Sequence, residues 1–233
     1  MEKRLNILAV TLARGGSKGI KNKNIIHIKN KPLIYYTIKE AKKSKFISDY
    51  IVSTDSRKIK SICEKYRVNV PFLRPKYLSS DKASSVSALK HATLFMEKKN
   101  NIRYDFIIEL MCTNPLKDVS DIDGIIKKII KTKADSVIAV NRIYDHHPQR
   151  IKKIVKDKID DFIPEKNEAR RQDLKPFAYI RSGAIYCMKR DYLIRQGRRY
   201  GGNNSRPYII DDKKALNIDT TNDLNYFISM KNK

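Results

Sequence analysis

The chain has 233 residues, of which 41% are hydrophobic, and its 50 Lys+Arg against 25 Asp+Glu give a formal net charge of +25. This length fits one domain with a large core, and eight Gly and eight Pro are too few for a fibrous or low-complexity protein. No apolar run approaches the roughly 20 residues that a membrane span requires, so we expect a cytoplasmic protein.

Strands and helices alternate along the first 140 residues. Apolar runs predict four buried strands, at 5–12, 50–54, 106–110 and 136–140. Apolar residues at helical spacing predict four helices, which begin near Pro32, Asp55 or Ser56, Ser84 and Ser120. This order predicts an α/β fold with a mostly parallel, doubly wound sheet. Ligands of such sheets bind at the carboxyl ends of the strands.

The regular alternation of predicted strands and helices ends after Val140. Residues 141–175 hold two short strand candidates, 151–155 and 158–163, followed by a charged stretch. We interpret 141–175 as a small lobe inserted into a single domain that spans residues 1–233. Strand character returns at 178–188, and 220–230 is predicted to be a closing helix.

The positive charge excess would suit a partner rich in phosphate. Most of it is lysine scattered along predicted helices, as in Lys42-Lys43 and Lys127-Lys128. Scattered lysines favour a solvated face over a specific nucleic-acid or membrane interface. The three cysteines are odd in number and far apart in the sequence, which predicts buried, reduced thiols.

The loop after the first strand is rich in glycine and basic residues. Between positions 14 and 31 there is no acidic residue, and the basic ones are Arg14, Lys18, Lys21, Lys23, Lys29 and Lys31. Glycines let the backbone approach an anion closely, and basic side chains neutralise a triphosphate. Neither the Walker pattern nor the dinucleotide fingerprint is present. The alternatives are therefore a phosphate loop of another kind or a solvated basic turn.

Residues 12–24 contain Leu-Ala-Arg-Gly-Gly-Ser-Lys-Gly and then Lys23-Asn24. This resembles the signature L-A-R-x-x-S-K-G…K-N of the acylneuraminate cytidylyltransferases, which are the CMP-sialic acid synthetases and their legionaminic and pseudaminic relatives. Further matches follow in order over almost the whole chain: Val52-Ser53-Thr54-Asp55, Leu73-Arg74-Pro75, Ser80-Asp81-Lys82-Ala83-Ser84-Ser85, Thr113-Asn114-Pro115-Leu116, Arg170-Arg171-Gln172-Asp173 and Ile218-Asp219-Thr220.

The resemblance implies a Rossmann-like nucleotidyltransferase that joins CMP from CTP to a nonulosonic acid and releases pyrophosphate, with Mg²⁺ or Mn²⁺ as cofactor. The catalytic residues it implies are Arg14, Lys18 and Lys23. The implied nucleotide-binding residues are Leu12, Ala13, Arg14, Ser17, Asn24, Arg74, Ala83 and Ser85. On the acceptor side the implied residues are Met111, Thr113, Arg150, Arg171 and Tyr186, and the implied metal ligands are Asp219 and Asn217.

The resemblance also implies a homodimer whose lobe, residues 141–175, reaches the partner's site, and a product that serves lipopolysaccharide or capsule synthesis. Three positions depart from the family pattern, and one of them is Ser182, which stands where Asn is usual before Gly183 and alters a polar contact near the acceptor. Met111 replaces a polar side chain, which predicts a different sugar, and Asn217 replaces a carboxylate, which predicts weaker metal binding. The alternatives are activation of 3-deoxy-manno-octulosonate or another sugar, and a catalytically impaired basic protein that binds nucleic acid.

Overall fold

The computed structural model describes residues 5–17, 19–164 and 169–232. Lys18, which the resemblance assigns to catalysis, lies outside the described residues. The strands of the described chain are β1 Ile7–Leu12, β2 His27–Ile28, β3 Lys31–Pro32, β4 Asp49–Ser53, β5 Phe106–Leu110, β6 Ser136–Arg142, β7 Lys152–Val155, β8 Lys158–Asp161, β9 Tyr179–Lys189 and β10 Ser205–Ile209. The α-helices are α1 Leu33–Ala41, α2 Arg57–Lys65, α3 Ser85–Asn100, α4 Val119–Thr132, α5 Arg190–Ile194 and α6 Thr221–Asn232.

Six strands form the central sheet in the order β10-β6-β9-β5-β1-β4. β1 is parallel to β4 and β5, and β10 is parallel to β6. β9 is antiparallel to both of its neighbours, β5 and β6. The predicted α/β class and mostly parallel sheet are confirmed. The reversal at β9 follows from its connection, because the described residues between β6 and β9 form the β7–β8 hairpin and short 3-10 turns instead of the crossover helix that a parallel strand needs.

Helices cover both faces of this sheet. Side chains of β5 alternate between the faces, so that Ile108 packs with Ile125 and Ile129 of α4, whereas Ile107 packs with Leu89 of α3. The three cysteines are buried and free, as predicted. Within the described part of the chain, every helix is too short or too polar to span a lipid bilayer.

The helix starts follow the capping residues in the sequence. Ser56 caps α2, and its hydroxyl accepts a hydrogen bond from the Ile59 N–H at 3.3 Å. Asp118 caps α4 in a capping box with Asp121. Of the two candidate caps for α2, Ser56 is therefore the cap, and the Asp55 carboxylate is left to contact another segment.

Candidate active site

The carboxyl ends of β1 and β5 open into a cleft of about 450 Å³. Its walls come from the loop after β1, the segment between α2 and α3, the end of β5 with its loop, and Asp219 just before α6. Most of the predicted site residues line it, namely Leu12, Arg14, Ser17, Lys23, Asn24, Arg74, Ala83, Ser85, Met111, Thr113 and Asp219. The position of the cleft is the one expected for a ligand site of an α/β sheet.

Hydrogen bonds within the loop after β1 and contacts with other segments hold this loop. The Gly15 N–H donates to Asp55 Oδ1 at 2.9 Å, and the Asn24 amide donates to the Arg14 carbonyl at 3.0 Å. A Cβ at Gly19 would lie 2.8 Å from the carbonyl oxygen of Asp219, so only glycine lets these two backbones approach so closely. The loop is thus shaped by its glycines and by Asp55.

Two cations of this loop are paired with carboxylates across the cleft. Arg14 Nη1 lies 2.9 Å from Asp81 Oδ1, and Lys23 Nζ lies 2.7 Å from Asp219 Oδ1. Because all four side chains belong to residues that line the cleft, an incoming anion would compete with the two carboxylates for these cations. The arrangement can bind a polyphosphate, and the two carboxylates can bind a cation.

Arg74 organises the wall formed by the segment between α2 and α3. The residue is 5% exposed, its N–H donates to the Thr54 carbonyl at 2.7 Å, and its Nε donates to Ser79 Oγ at 3.0 Å. Burial lowers the pKa of the Arg74 guanidinium. Residues 79–85 are thereby held against the cleft, where serine hydroxyls and backbone groups can meet a nucleoside.

A buried lysine holds the loop after β5. Lys117 is 1% exposed, and its Nζ donates to the carbonyls of Met111 and Asn114, both at 2.6 Å, and to Thr37 Oγ1 at 2.8 Å. Burial lowers the pKa of Lys117 to about 7, although the carboxylates of Asp121 and Glu40 oppose this shift. The three acceptors surround the ammonium, so the position of Met111 in the cleft depends on Lys117.

The segment that carries Asp219 is docked on the same loop. The Ile218 N–H donates to the Thr113 carbonyl at 2.8 Å, and the Asn114 amide donates to the Lys214 carbonyl at 3.2 Å. The Lys214 ammonium in turn binds the two aspartates of the α4 capping box, at 2.6 and 2.9 Å. These contacts fix Asp219 at the mouth of the cleft.

Asn217, the second predicted metal ligand, is not among the described residues that line the cleft. Its Oδ1 is buried and has no hydrogen-bond partner in the described chain. A Cβ at Gly183, which has φ +64°, would overlap the Asn217 side-chain amide. Asn217 therefore packs against β9, and its role as a ligand stays a prediction.

Four further predicted residues lie away from the cleft lining. Ala13 is fully buried, and Tyr186 is 5% exposed on β9. Arg150 and Arg171 both contact Asp145 in the region of the lobe, with Arg171 Nη1 2.6 Å from Asp145 Oδ1. Arg171 lines a separate cavity of about 250 Å³. In a single chain the predicted acceptor residues therefore do not lie together. Met111 and Thr113 line the cleft, whereas Arg150 and Arg171 lie in the region of the lobe.

Three residues of the site were not assigned from the sequence. Asp81 is the partner of Arg14, Lys117 supports the β5 loop, and Glu109 is a fully buried carboxylate that lines the cleft. The sequence does indicate that Glu109 is unusual, because it is the one charged residue in the apolar run Phe-Ile-Ile-Glu-Leu. Nothing in the sequence marks Lys117 as buried.

The fold and the cationic cleft at its carboxyl edge define a nucleotide-binding α/β enzyme. Residues 8–225 match the family described as Cytidylyltransferase, so this chain belongs to the cytidylyltransferase family and is a nucleotidyltransferase, as the sequence predicted.

Relatives of known function cover nearly the full chain. The chain is 32% identical to the post-translational flagellin modification protein B of Campylobacter coli, over 97% of this chain and 96% of that protein. It is 31% identical, over the same shares, to the CMP-N,N'-diacetyllegionaminic acid synthase of Campylobacter jejuni subsp. jejuni. The solved structure of a CMP:2-keto-3-deoxy-manno-octonic acid synthetase complexed with CTP has a TM-score of 0.71, covers 97% of this chain and 98% of that chain, and is 15% identical, which indicates a shared fold.

Proposed function

We propose that this enzyme transfers CMP from CTP to a nonulosonic acid and releases pyrophosphate. The observation that carries the proposal is the cleft itself, in which Arg14, Ser17 and Lys23 stand opposite the wall held by Arg74. The relatives named above include a CMP-nonulosonate synthase that matches almost the whole chain.

In this reaction a hydroxyl oxygen of the acid attacks the α-phosphorus of CTP and gives up its proton to solvent. The bond from that phosphorus to the bridging oxygen breaks, and pyrophosphate leaves with the electron pair. Arg14 and Lys23 would exchange their carboxylate partners for phosphate oxygens and neutralise the charge that develops there. The Ser17 hydroxyl would donate to the same phosphates, and residues 79–85 would receive the nucleoside. Catalysis then depends mainly on positioning and electrostatics.

We also propose that Mg²⁺ or Mn²⁺ binds at Asp219. Within the described residues there is no group of three or more His, Cys, Asp or Glu that could hold a metal alone, whereas Mg²⁺ is often held by one or two carboxylates and substrate phosphates. The Asp219 carboxylate in the cleft fits that pattern. When bound, the ion would neutralise charge on the phosphates. Lys23 would hold Asp219 until phosphate arrives.

The alternative acceptor is 3-deoxy-manno-octulosonate. Met111 and Thr113 line the cleft on the side of β5, where the acceptor would bind. The thioether of Met111 is only a weak hydrogen-bond acceptor, so we propose a sugar other than N-acetylneuraminic acid. A cytoplasmic location and a role in surface glycan synthesis stay predictions.

We propose further that the enzyme is a homodimer in which residues 141–175 cover a second copy. Ile154 and Ile159 are opposite each other in the β7–β8 hairpin and are 77% and 76% exposed. Arg150 and Arg171 are outside the cleft, so a second copy would be needed to bring them to an acceptor. Light scattering at micromolar concentration should give twice the mass of one chain, and a monomeric mass would contradict the proposal.

The function is tested by pyrophosphate release from CTP and Mg²⁺ with N-acetylneuraminic, legionaminic, pseudaminic and 3-deoxy-manno-octulosonic acids. We expect turnover with legionaminic or pseudaminic acid and a preference for CTP over UTP, and a preference for N-acetylneuraminic acid would contradict the role given to Met111. No pyrophosphate release with any of the four acids, or equal use of UTP, would contradict the proposal. Turnover with the octulosonate alone would replace the proposed acceptor by the alternative.

A further inference from the structure

The cleft wall contains a buried ion pair. Glu109 Oε2 accepts a hydrogen bond from Arg199 Nη1 at 2.5 Å, and the two side chains are 1% and 16% exposed. Burial raises the pKa of Glu109, and the Arg199 charge opposes this rise. The second oxygen, Oε1, is also buried and has no hydrogen-bond partner in the described chain. A buried acceptor without a donor is costly, and Glu109 lines the cleft, so a bound molecule can supply the missing donor.

Aromatic packing fixes this ion pair. Glu109 is opposite Tyr186 in the register of β5 and β9, and the Arg199 guanidinium lies 4.2 Å from the centroid of the Tyr186 ring. The Tyr186 and Tyr200 rings are 5.7 Å apart, and the Arg181 guanidinium lies 4.9 Å from the Tyr200 ring. A side chain held by such packing keeps one orientation toward its ligand.

The place of Glu109 in the cleft indicates which substrate supplies the donor. A carboxylate repels a triphosphate, and the cationic residues Arg14 and Lys23 belong to the loop after β1. The wall held by Arg74 lies between α2 and α3 in the chain, whereas Glu109 and Met111 belong to β5 and its loop. Because the two substrates meet at the α-phosphate, the nucleoside and the acceptor occupy different walls. Glu109 is on the wall of the acceptor.

We propose that Glu109 Oε1 accepts a hydrogen bond from a hydroxyl or amide N–H of the acceptor acid and thereby selects acids that carry a donor at that position. This inference rests on the proposed function. Arg199 and Tyr186 are the positioning residues, because they hold the carboxylate through an ion pair and through ring packing.

The test removes both charges together, since a single deletion would leave the other charge buried alone. Glu109→Leu/Arg199→Leu is compared with Glu97→Leu/Arg190→Leu, which removes another ion pair, at 2.9 Å, outside the cleft lining. In the first variant the KM for the preferred acid should rise about tenfold or more, whereas the KM for CTP should change by less than about twofold. The preference among the four acids should also become smaller. The control variant should keep both KM values.

Several outcomes would overturn the inference. An unchanged KM for the acid would do so, and so would a rise in the KM for CTP alone, which would assign Glu109 to the cytosine. If the double variant does not fold, Glu109→Gln decides, because its amide oxygen still accepts a hydrogen bond from Arg199, and the KM for CTP shows whether the unpaired charge of Arg199 disturbs the cleft. Glu109→Gln keeps the size of the side chain but not its charge, so its KM for the acid should rise about threefold or more, and a smaller change overturns the inference. A wild-type protein that releases no pyrophosphate with any acid overturns the proposed function as well, whereas wild-type turnover with unaffected variants overturns only the role of Glu109.

Discussion

The cleft and the β7–β8 hairpin use their charged residues differently. In the cleft, Arg14 and Lys23 are paired with carboxylates that come from distant parts of the sequence. In the hairpin, Lys152 pairs with Asp161, and Lys153 with Asp160, across two neighbouring strands whose residues are almost all exposed. Long-range pairs fix a binding site, whereas local pairs stabilise only the hairpin that contains them.

Apolar side chains differ between the two regions in the same way. Those next to the cleft belong to the core, as Ala13 and Cys112 do, whereas Ile154, Ile159 and Phe162 are 77%, 76% and 63% exposed. Exposed apolar side chains that are adjacent to one another are typical of surfaces that another protein covers. This contrast agrees with the proposal that a second copy of the chain covers the hairpin.

The largest effect should come from the cleft. Lys23→Ala removes a cation that we place on the phosphates, so kcat should fall about 100-fold or more. The matched control is Lys21→Ala, because Lys21 belongs to the same loop but is exposed and outside the cleft lining. Steady-state pyrophosphate release measures both variants. Equal turnover of Lys23→Ala and Lys21→Ala would show that the cleft lysine has no special role.

The next effect tests whether the lobe acts on a second chain. Arg171→Ala should be poorly active because it lacks the acceptor contact, and Lys23→Ala because it lacks the phosphate contact. When the two variants are co-expressed, half of the dimers are mixed, and each mixed dimer has one intact site if Arg171 acts across the interface. Activity should then recover to about one quarter of the wild-type value. No recovery above the separate variants would place Arg171 in the site of its own chain.

A smaller effect is expected at Lys117. Lys117→Met leaves the carbonyls of Met111 and Asn114 and the Thr37 hydroxyl without their buried donor. The free energy of unfolding in urea should fall by about 2–3 kcal/mol. Lys131→Met, at an exposed position of α4, should change it by less than about 0.5 kcal/mol. Similar values for the two variants would contradict the structural role of Lys117.

The smallest effect is a pH dependence from the same residue. The pKa of Lys117 is lowered to about 7 in the folded chain, whereas a lysine in the unfolded chain keeps a pKa of about 10.4. Between these values the unfolded chain binds more protons, so Lys117 makes the fold more stable as the pH rises and least stable below pH 7. From pH 7 to 8, the stability of wild type relative to Lys117→Met should increase by about 1 kcal/mol. A difference that does not change with pH would rule out this titration.

Local patterns in the sequence predicted much of the fold. Phe106–Leu110 forms the predicted strand, and Ser56 caps α2 as one of two candidates. β10 was not predicted, because it is mostly exposed and contains Pro207, which is compatible with its place at the sheet edge. The antiparallel direction of β9 depends on the connection through the lobe, which no local pattern encodes.

The candidate site was predictable where it depends on one segment. The loop that carries Arg14 and Lys23 is visible as glycines and basic residues, whereas its partners Asp81 and Asp219 are far away in the sequence. The role of Glu109 can be inferred only when its ion-pair partner Arg199 is known, and Arg199 is 90 residues away in the sequence. Pairs formed by the tertiary fold leave no periodic signal, so composition and spacing could not assign them.

The ion pair between Lys23 and Asp219 has a consequence for the order of binding. At 2.7 Å the two charges satisfy each other, so each becomes available to a ligand when the other is drawn away. A phosphate that takes the ammonium leaves a bare carboxylate, which attracts a cation, and a cation at Asp219 equally releases Lys23 for phosphate. If the proposed ion binds at Asp219, thermodynamic reciprocity requires that nucleotide and ion tighten each other's binding by the same factor. The affinity for CTP would therefore follow the concentration of the ion.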